Sequence, residues 1–135
     1  MKEIKTIVNN SENEHPSNIE AEQALLGSIL VNNDIIDEIS SIVDSSIFYD
    51  PAHIKIFEVI QSLNNRGMIA NPITLKNFFE NEKDEINVPE YLVKITKFST
   101  SARQAIEYSK IIYDMFVRRE LIKISEQMID NAKEN

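Results

Sequence analysis

Cysteine is absent from this chain, which excludes disulfides, zinc–thiolate sites and a cysteine nucleophile. The fold therefore stands on packing alone. Only two glycines occur, Gly27 and Gly67. A phosphate-binding loop needs glycines spaced so that backbone N–H groups wrap a phosphate, with a lysine behind them. Neither glycine has such neighbours, and the same scarcity removes a Rossmann fingerprint and argues against an oxyanion loop. The two histidines, His15 and His53, form no HExxH or other two-histidine metal spacing. Catalytic, cofactor-binding and metal-ligating residues are accordingly read as none. No run of about eighteen apolar residues exists, and the N-terminal MKEIKTIVNNSENEHPS lacks the continuous apolar core of a signal peptide. A cytoplasmic protein without membrane contact is expected. Positive charge is also scarce: 14 lysines and arginines stand against 22 aspartates and glutamates, a formal net charge of −8. Such a surface repels nucleic-acid phosphates unless its few cations are gathered on one face, so no direct nucleic-acid contact is expected.

What remains is an ordinary globular composition, 42% hydrophobic and 27% charged over 135 residues. One domain of this size buries roughly two-thirds of the surface of its unfolded chain. Residues 1–16 are expected to form a flexible lead-in, because Asn9 to Ser17 are almost all polar. Ser17-Asn18-Ile19-Glu20 fits a capping box and opens a first helix to about Val31. Within it, AEQALLGSIL places Gly27 in a helix interior at a cost of about 1 kcal/mol relative to alanine. Close approach of a second helix is the expected compensation, which makes Gly27 a helix-packing residue.

Asn33 or Asp34 caps a second short helix carrying Ile35, Ile36, Ile39, Ile42 and Val43. Asp50-Pro51 starts a third, running to about Asn65 with Ile56, Phe57, Ile60 and Leu63 inward, and Gly67 is suited to closing it. Asn71-Pro72 starts a fourth, expected to reach Glu82 and to bury Ile73, Leu75, Phe78 and Phe79 in some combination. After the charged loop NEKDEIN, Val88-Pro89 opens a fifth with Tyr91, Leu92, Ile95 and Phe98 as inward candidates. No alternation persists long enough for a strand. The class is all-α, a compact head of about five short helices (17–101) followed by one long helix (102–133).

About thirty residues of helix extend on the order of 45 Å, more than the width of so small a domain, so part of the last helix is expected to project. Its first half is expected to be buried on two faces, one through Ala105, Tyr108, Ile112 and Met115 and another through Ile106, Tyr113 and Val117. Beyond Arg118-Arg119-Glu120 two apolar lines persist: Val117, Leu121, Ile124 and Met128, and Met115, Ile122 and Ile129. A projecting helix cannot bury both against its own head, and exposed apolar patches of this kind mark partner sites. These seven residues are the candidate protein interface; intramolecular packing is the alternative. Arg118 and Arg119 are read as surface or interface ion-pairing groups. His53 is read as a partly buried residue near a helix start, the sharper alternative being a hydrolytic base oriented by Asp50.

Four blocks of residues resemble the N-terminal domain of the bacterial replicative DNA helicase, the DnaB type. They are IEAEQALLGSIL at Ile19 to Leu30, FYDPAHIKIFEVIQSL at Phe48 to Leu63, NPITL at Asn71 to Leu75, and EYSKIIYDMFVRRELI at Glu107 to Ile122. Two departures stand out. Asn71 replaces the family's usual aspartate, and Asn87-Val88-Pro89-Glu90 stands where two glycines commonly precede the tyrosine matching Tyr91. The resemblance implies that the long helix is the first arm of a helical hairpin, pairing between subunits so that three pairs build the collar of a hexamer. It also implies contact with primase and, in some bacteria, a helicase loader. In the family the chain continues into a second hairpin helix, a linker helix and a RecA-like ATPase domain. The resemblance thus implies a non-catalytic segment of a longer helicase, with ATP and Mg required only outside it. The helicase-binding C-terminal domain of bacterial primase, similar in fold, is the alternative reading.

Overall fold

A computed structural model of the chain describes residues 15–79 and 87–134. The expected lead-in, apart from His15 and Pro16, and nearly all of the NEKDEIN loop lie outside the described residues. Six α-helices follow one another: α1 Ile19–Val31, α2 Ile36–Ser40, α3 Pro51–Asn65, α4 Pro72–Lys76, α5 Val88–Thr96 and α6 Ala102–Lys133. Single 3₁₀ turns precede α2 at Asn33–Ile35 and α3 at Ser45–Ile47. No strand occurs among the described residues, and no helix there is long and apolar enough to cross a membrane.

α1 is the central strut. Ala21, Glu22 and every residue from Ala24 to Leu30 are buried, and α1 packs against α6, α5 and α3. Leu25, Leu26 and Ile29 meet Ile36, Ile39, Phe57, Ile60, Leu75, Leu92 and Ile95 in one core. Gly27 lies against the last turn of α5: a Cβ built on it would fall 1.9 Å from the Ile95 carbonyl oxygen. The neighbouring Ser28 hydroxyl donates to the Ala24 carbonyl at 2.7 Å and accepts from the Thr100 N–H at 2.9 Å. Two small residues thus admit α5 and hold the corner that leads into α6.

Local signals fix the helix ends. Asp50 caps Ala52 N–H ahead of Pro51. α3 closes on Gly67 at φ 71°, with Met68 N–H reaching the Leu63 carbonyl at 2.9 Å and Gly67 N–H the Asn64 carbonyl at 3.0 Å, the paired bonds of a Schellman ending. Asn71 and Thr74 form a capping box at α4. The Asn33 side chain donates to the carbonyls of Ile29 and Ala70 and accepts from Ala70 N–H, tying the end of α1 to the approach to α4.

Several expectations are corrected. The cap of α1 is Asn18, whose side chain accepts from Ala21 N–H at 3.0 Å, one residue later than Ser17. The second helix is split, because Asn32 caps a tight turn before α2 begins. α4 ends at Lys76 rather than Glu82; Leu75 and Phe79 are buried, whereas Ile73 is 78% exposed and Phe78 also faces outward. Five residues of helix present one narrow inward face, and Leu75 occupies it. Phe98 falls beyond the end of α5 and is 45% exposed. α6 buries a single face, Ala105, Ser109 and Ile112, with Ile106, Tyr108 and Phe116 partly covered and Tyr113 exposed. Among the described residues α1, α2 and the 3₁₀ turn at Ser45–Ile47 pack against it, and they cover one side.

Gly27→Ala is expected to destabilise the protein by about 1–3 kcal/mol, since overpacking against backbone outweighs the gain in helix propensity. A urea midpoint equal to that of the wild type would contradict the close contact.

Candidate protein interface

Two polar devices fix how α6 and the head sit. The first surrounds Glu22, which is 1% exposed. Its carboxylate accepts from Tyr49 N–H at 2.9 Å and Asp50 N–H at 3.3 Å, and lies 2.8 Å from His53 Nδ1. His53 Nε2 lies 2.6 Å from the Tyr91 hydroxyl, which accepts from Gln23 Nε2 at 3.1 Å. One assignment satisfies every group: Gln23 donates to Tyr91, Tyr91 O–H donates to Nε2, and Nδ1–H donates to Glu22. The His53 and Tyr91 rings stack at 5.8 Å. Burial pushes the Tyr91 hydroxyl above the ordinary 10.0, with the charges of Asp50 and Glu22 adding and the Gln23 bond opposing.

This geometry corrects the reading of His53. It is 0% exposed rather than partly buried, and its carboxylate partner is Glu22, while Asp50 is occupied as a helix cap. A sealed imidazole cannot meet a substrate, so the hydrolytic alternative falls. The trio instead pins α1, α3 and α5 together. Glu22 was overlooked in the sequence, although an acidic residue among Ala21, Leu25, Leu26 and Ile29 is the available signal for a buried carboxylate.

The second device is Arg119. Nη1 donates to the Pro16 carbonyl and Nη2 to the Ile47 carbonyl, each at 2.7 Å, and the guanidinium lies over the rings of Tyr49 at 5.2 Å and Phe116 at 6.0 Å. Burial lowers its pKa, opposed by the charges of Glu22, Tyr49 and Glu120; an arginine stays cationic throughout. The expected ion-pair role holds for Arg118, which bonds Asp114 at 3.0 Å on the exposed surface. Arg119 serves backbone carbonyls instead, and staples α6 to the head. A cleft of about 370 Å³ opens at this root, lined among others by Phe48, Tyr49, Phe116, Ile122 and Lys123.

Past this staple α6 turns its side chains to solvent. Every described residue from Leu121 onward is exposed, including Leu121 at 58%, Ile122, Ile124, Met128 at 66% and Ile129. Met115 and Val117, nearer the root, are half-buried. At about 100° per residue, Ala105, Ser109, Ile112 and Arg119 share the side facing the head, whereas Leu121, Ile124 and Met128 lie about half a turn round. Val117, Leu121, Ile124 and Met128 follow a four-three-four spacing, the pattern of a short coiled-coil seam. Ile122 and Ile129 form a second line beside it.

Two outcomes follow from the buried trio. Glu22→Ala leaves two backbone N–H groups and His53 without an acceptor and is expected to cost about 3 kcal/mol or more, read from chemical denaturation; a loss below about 1 kcal/mol would contradict the network. Because the folded-state pKa of Tyr91 is raised, its contribution is complete below pH 10 and is lost as pH rises through that folded pKa. Tyr91→Phe is expected to be less stable at pH 8, and the gap to wild type should narrow above pH 10. A constant gap would contradict the role of the hydroxyl.

The model of the DnaB-like helicase N terminal domain family matches residues 14–114. Replicative DNA helicase DnaB of Rickettsia typhi is 39% identical over 136 residues, covering 96% of this chain and 27% of the relative. Its counterpart in Rickettsia felis is 40% identical over 119 residues, covering 87% and 24%. The chain thus spans about a quarter of the length of these relatives. Among solved structures, the N-terminal domain of DnaB helicase from Mycobacterium tuberculosis superposes with a TM-score of 0.83 at 22% identity, covering 90% of both chains. The N-terminal domain of the Helicobacter pylori enzyme, described with its interactions with primase, gives 0.72 at 21%, covering 85% of this chain and 91% of its own. The family is that of the helicase rather than of the primase considered as its alternative. This chain belongs to the DnaB-like helicase N-terminal domain family.

Proposed function

We propose that this chain is the assembly and primase-contact domain of a replicative DNA helicase and is itself non-catalytic. The observation that carries the reading is the exposed double apolar line on α6 beyond Arg119. A helix that puts Leu121, Ile122, Ile124, Met128 and Ile129 into water gains stability only by covering them, and each such side chain contributes roughly 1.5–3 kcal/mol when fully buried. In this reading the tail is one arm of a hairpin that pairs with a neighbouring subunit, the pairs build the collar of a hexamer, and Met115 and Val117 mark where the seam begins. Primase, and a helicase loader where one exists, are the further partners. ATP and Mg belong to the part of the relatives that this chain does not span. The site of action is the cytoplasm, where the replicating chromosome lies.

Leu121→Glu combined with Ile124→Glu is expected to raise the dissociation constant for self-association at least about a hundredfold, measured by analytical ultracentrifugation, with helix content by circular dichroism unchanged. Unaltered association would sink the interface. Repeating the measurement with the cognate primase added tests the second half of the reading, which fails if the head shows no complex with it.

A further inference from the structure

Charge is unevenly placed on this acidic chain. Between Lys94 and Lys110 stand four basic residues, Lys94, Lys97, Arg103 and Lys110, and one acidic residue, Glu107; of the chain's 14 basic and 22 acidic residues, the other ten and twenty-one lie elsewhere. Lys94 and Lys97 are one turn apart at the end of α5, and Arg103 sits in the first turn of α6. All three are exposed. Lys110 is paired with Glu107 at 3.3 Å, whereas Lys94, Lys97 and Arg103 make no ion pair among the described residues. At the same corner Phe98 is exposed, and beside it opens a hollow of about 380 Å³ lined by Phe98, Tyr108, Ala24, Gln23 and Glu20.

We propose that this α5–α6 corner docks an acidic segment of a partner protein that carries an aromatic or aliphatic side chain next to its carboxylates. The apolar side chain enters the hollow against Phe98 and Tyr108, and the carboxylates meet Lys94, Lys97 and Arg103. Exposed ion pairs contribute little each, about 0.2–1 kcal/mol. The cations therefore steer and select, while burial of the apolar anchor supplies most of the affinity. The acidic remainder of the surface repels such a segment elsewhere and leaves the corner as its landing place. A nucleic-acid strand fits less well. Glu20 lines the hollow and opposes either ligand, but a polyanion long enough to use the cations also runs on into the field of that acidic remainder, whereas a short segment does not. None of these residues belongs to the apolar lines of the α6 tail, so the proposal stands or falls independently of self-association.

The test is a titration of the ¹⁵N-labelled chain with a short synthetic peptide of aspartates and glutamates ending in phenylalanine. The same peptide ending in alanine and an oligothymidylate serve as competing probes. The expected result is amide shifts confined to Gln23, Ala24 and the segment from Lys94 to Tyr108. Binding should weaken about tenfold for Lys97→Glu with Arg103→Glu, and again when the phenylalanine is replaced by alanine, with thermal unfolding unchanged in the variant. Absence of binding, shifts scattered over the surface, affinity indifferent to the charge reversal, or preference for the oligothymidylate at this corner would each overturn the proposal.

Discussion

A carboxylate at the centre of a helical head has to be surrounded by donors, and the need to satisfy Glu22 organises this molecule. An unpaired buried charge costs several kcal/mol, a large share of the stability of any small domain. The chain meets the demand with groups from different places. The N–H groups of Tyr49 and Asp50 arrive from the loop before α3, and the His53 imidazole from its first turn. Because His53 uses its other nitrogen on Tyr91, the same requirement fixes α5. One side chain on α1 therefore sets the position of two other helices.

That arrangement works only if α5 comes very close to α1. Tyr91 reaches His53 near one end of α5, and at the other end the Ile95 carbonyl occupies the space where any residue but glycine would place its Cβ. Gly27 and the polar trio are thus two halves of one constraint: the glycine sets the distance and the hydrogen bonds set the register. Ser28 extends it to the next element by holding Thr100 at the corner, so the direction in which α6 begins depends on the same few residues of α1.

Much of this fold was legible because its signals are local. Asp50-Pro51, Asn71-Pro72, Val88-Pro89 and Gly67 mark starts and stops through backbone chemistry that needs no tertiary partner, and α3, α4 and α5 begin, and α3 closes, where these signals stand. What was missed is tertiary. Ile73 and Ile35 look alike in the chain, yet α4 has room for one inward residue and takes Leu75. His53 was paired with Asp50 because sequence shows only neighbours, whereas its acceptor lies 31 residues away. Arg119 read as an ion-pairing surface residue, since carbonyl oxygens at Pro16 and Ile47 leave no trace in composition. Both groups of the candidate site, the apolar tail and its staple, needed different information: periodicity exposed the first, and only coordinates revealed the second.

The two ends of α6 obey different rules, and the change at Arg119 decides what the tail can do. A helix that simply overran its core would keep its apolar stripe on one side and fade into polar residues. Here the stripe instead moves about half a turn round the helix axis, from Ala105 and Ile112 to Leu121, Ile124 and Met128, while the guanidinium clamps the old side to the head. Bending towards the head would bring Lys123 and Asp130 inward and leave Leu121, Ile124 and Met128 in water. Their burial therefore requires a surface approaching from the far side, where no described element of this chain stands.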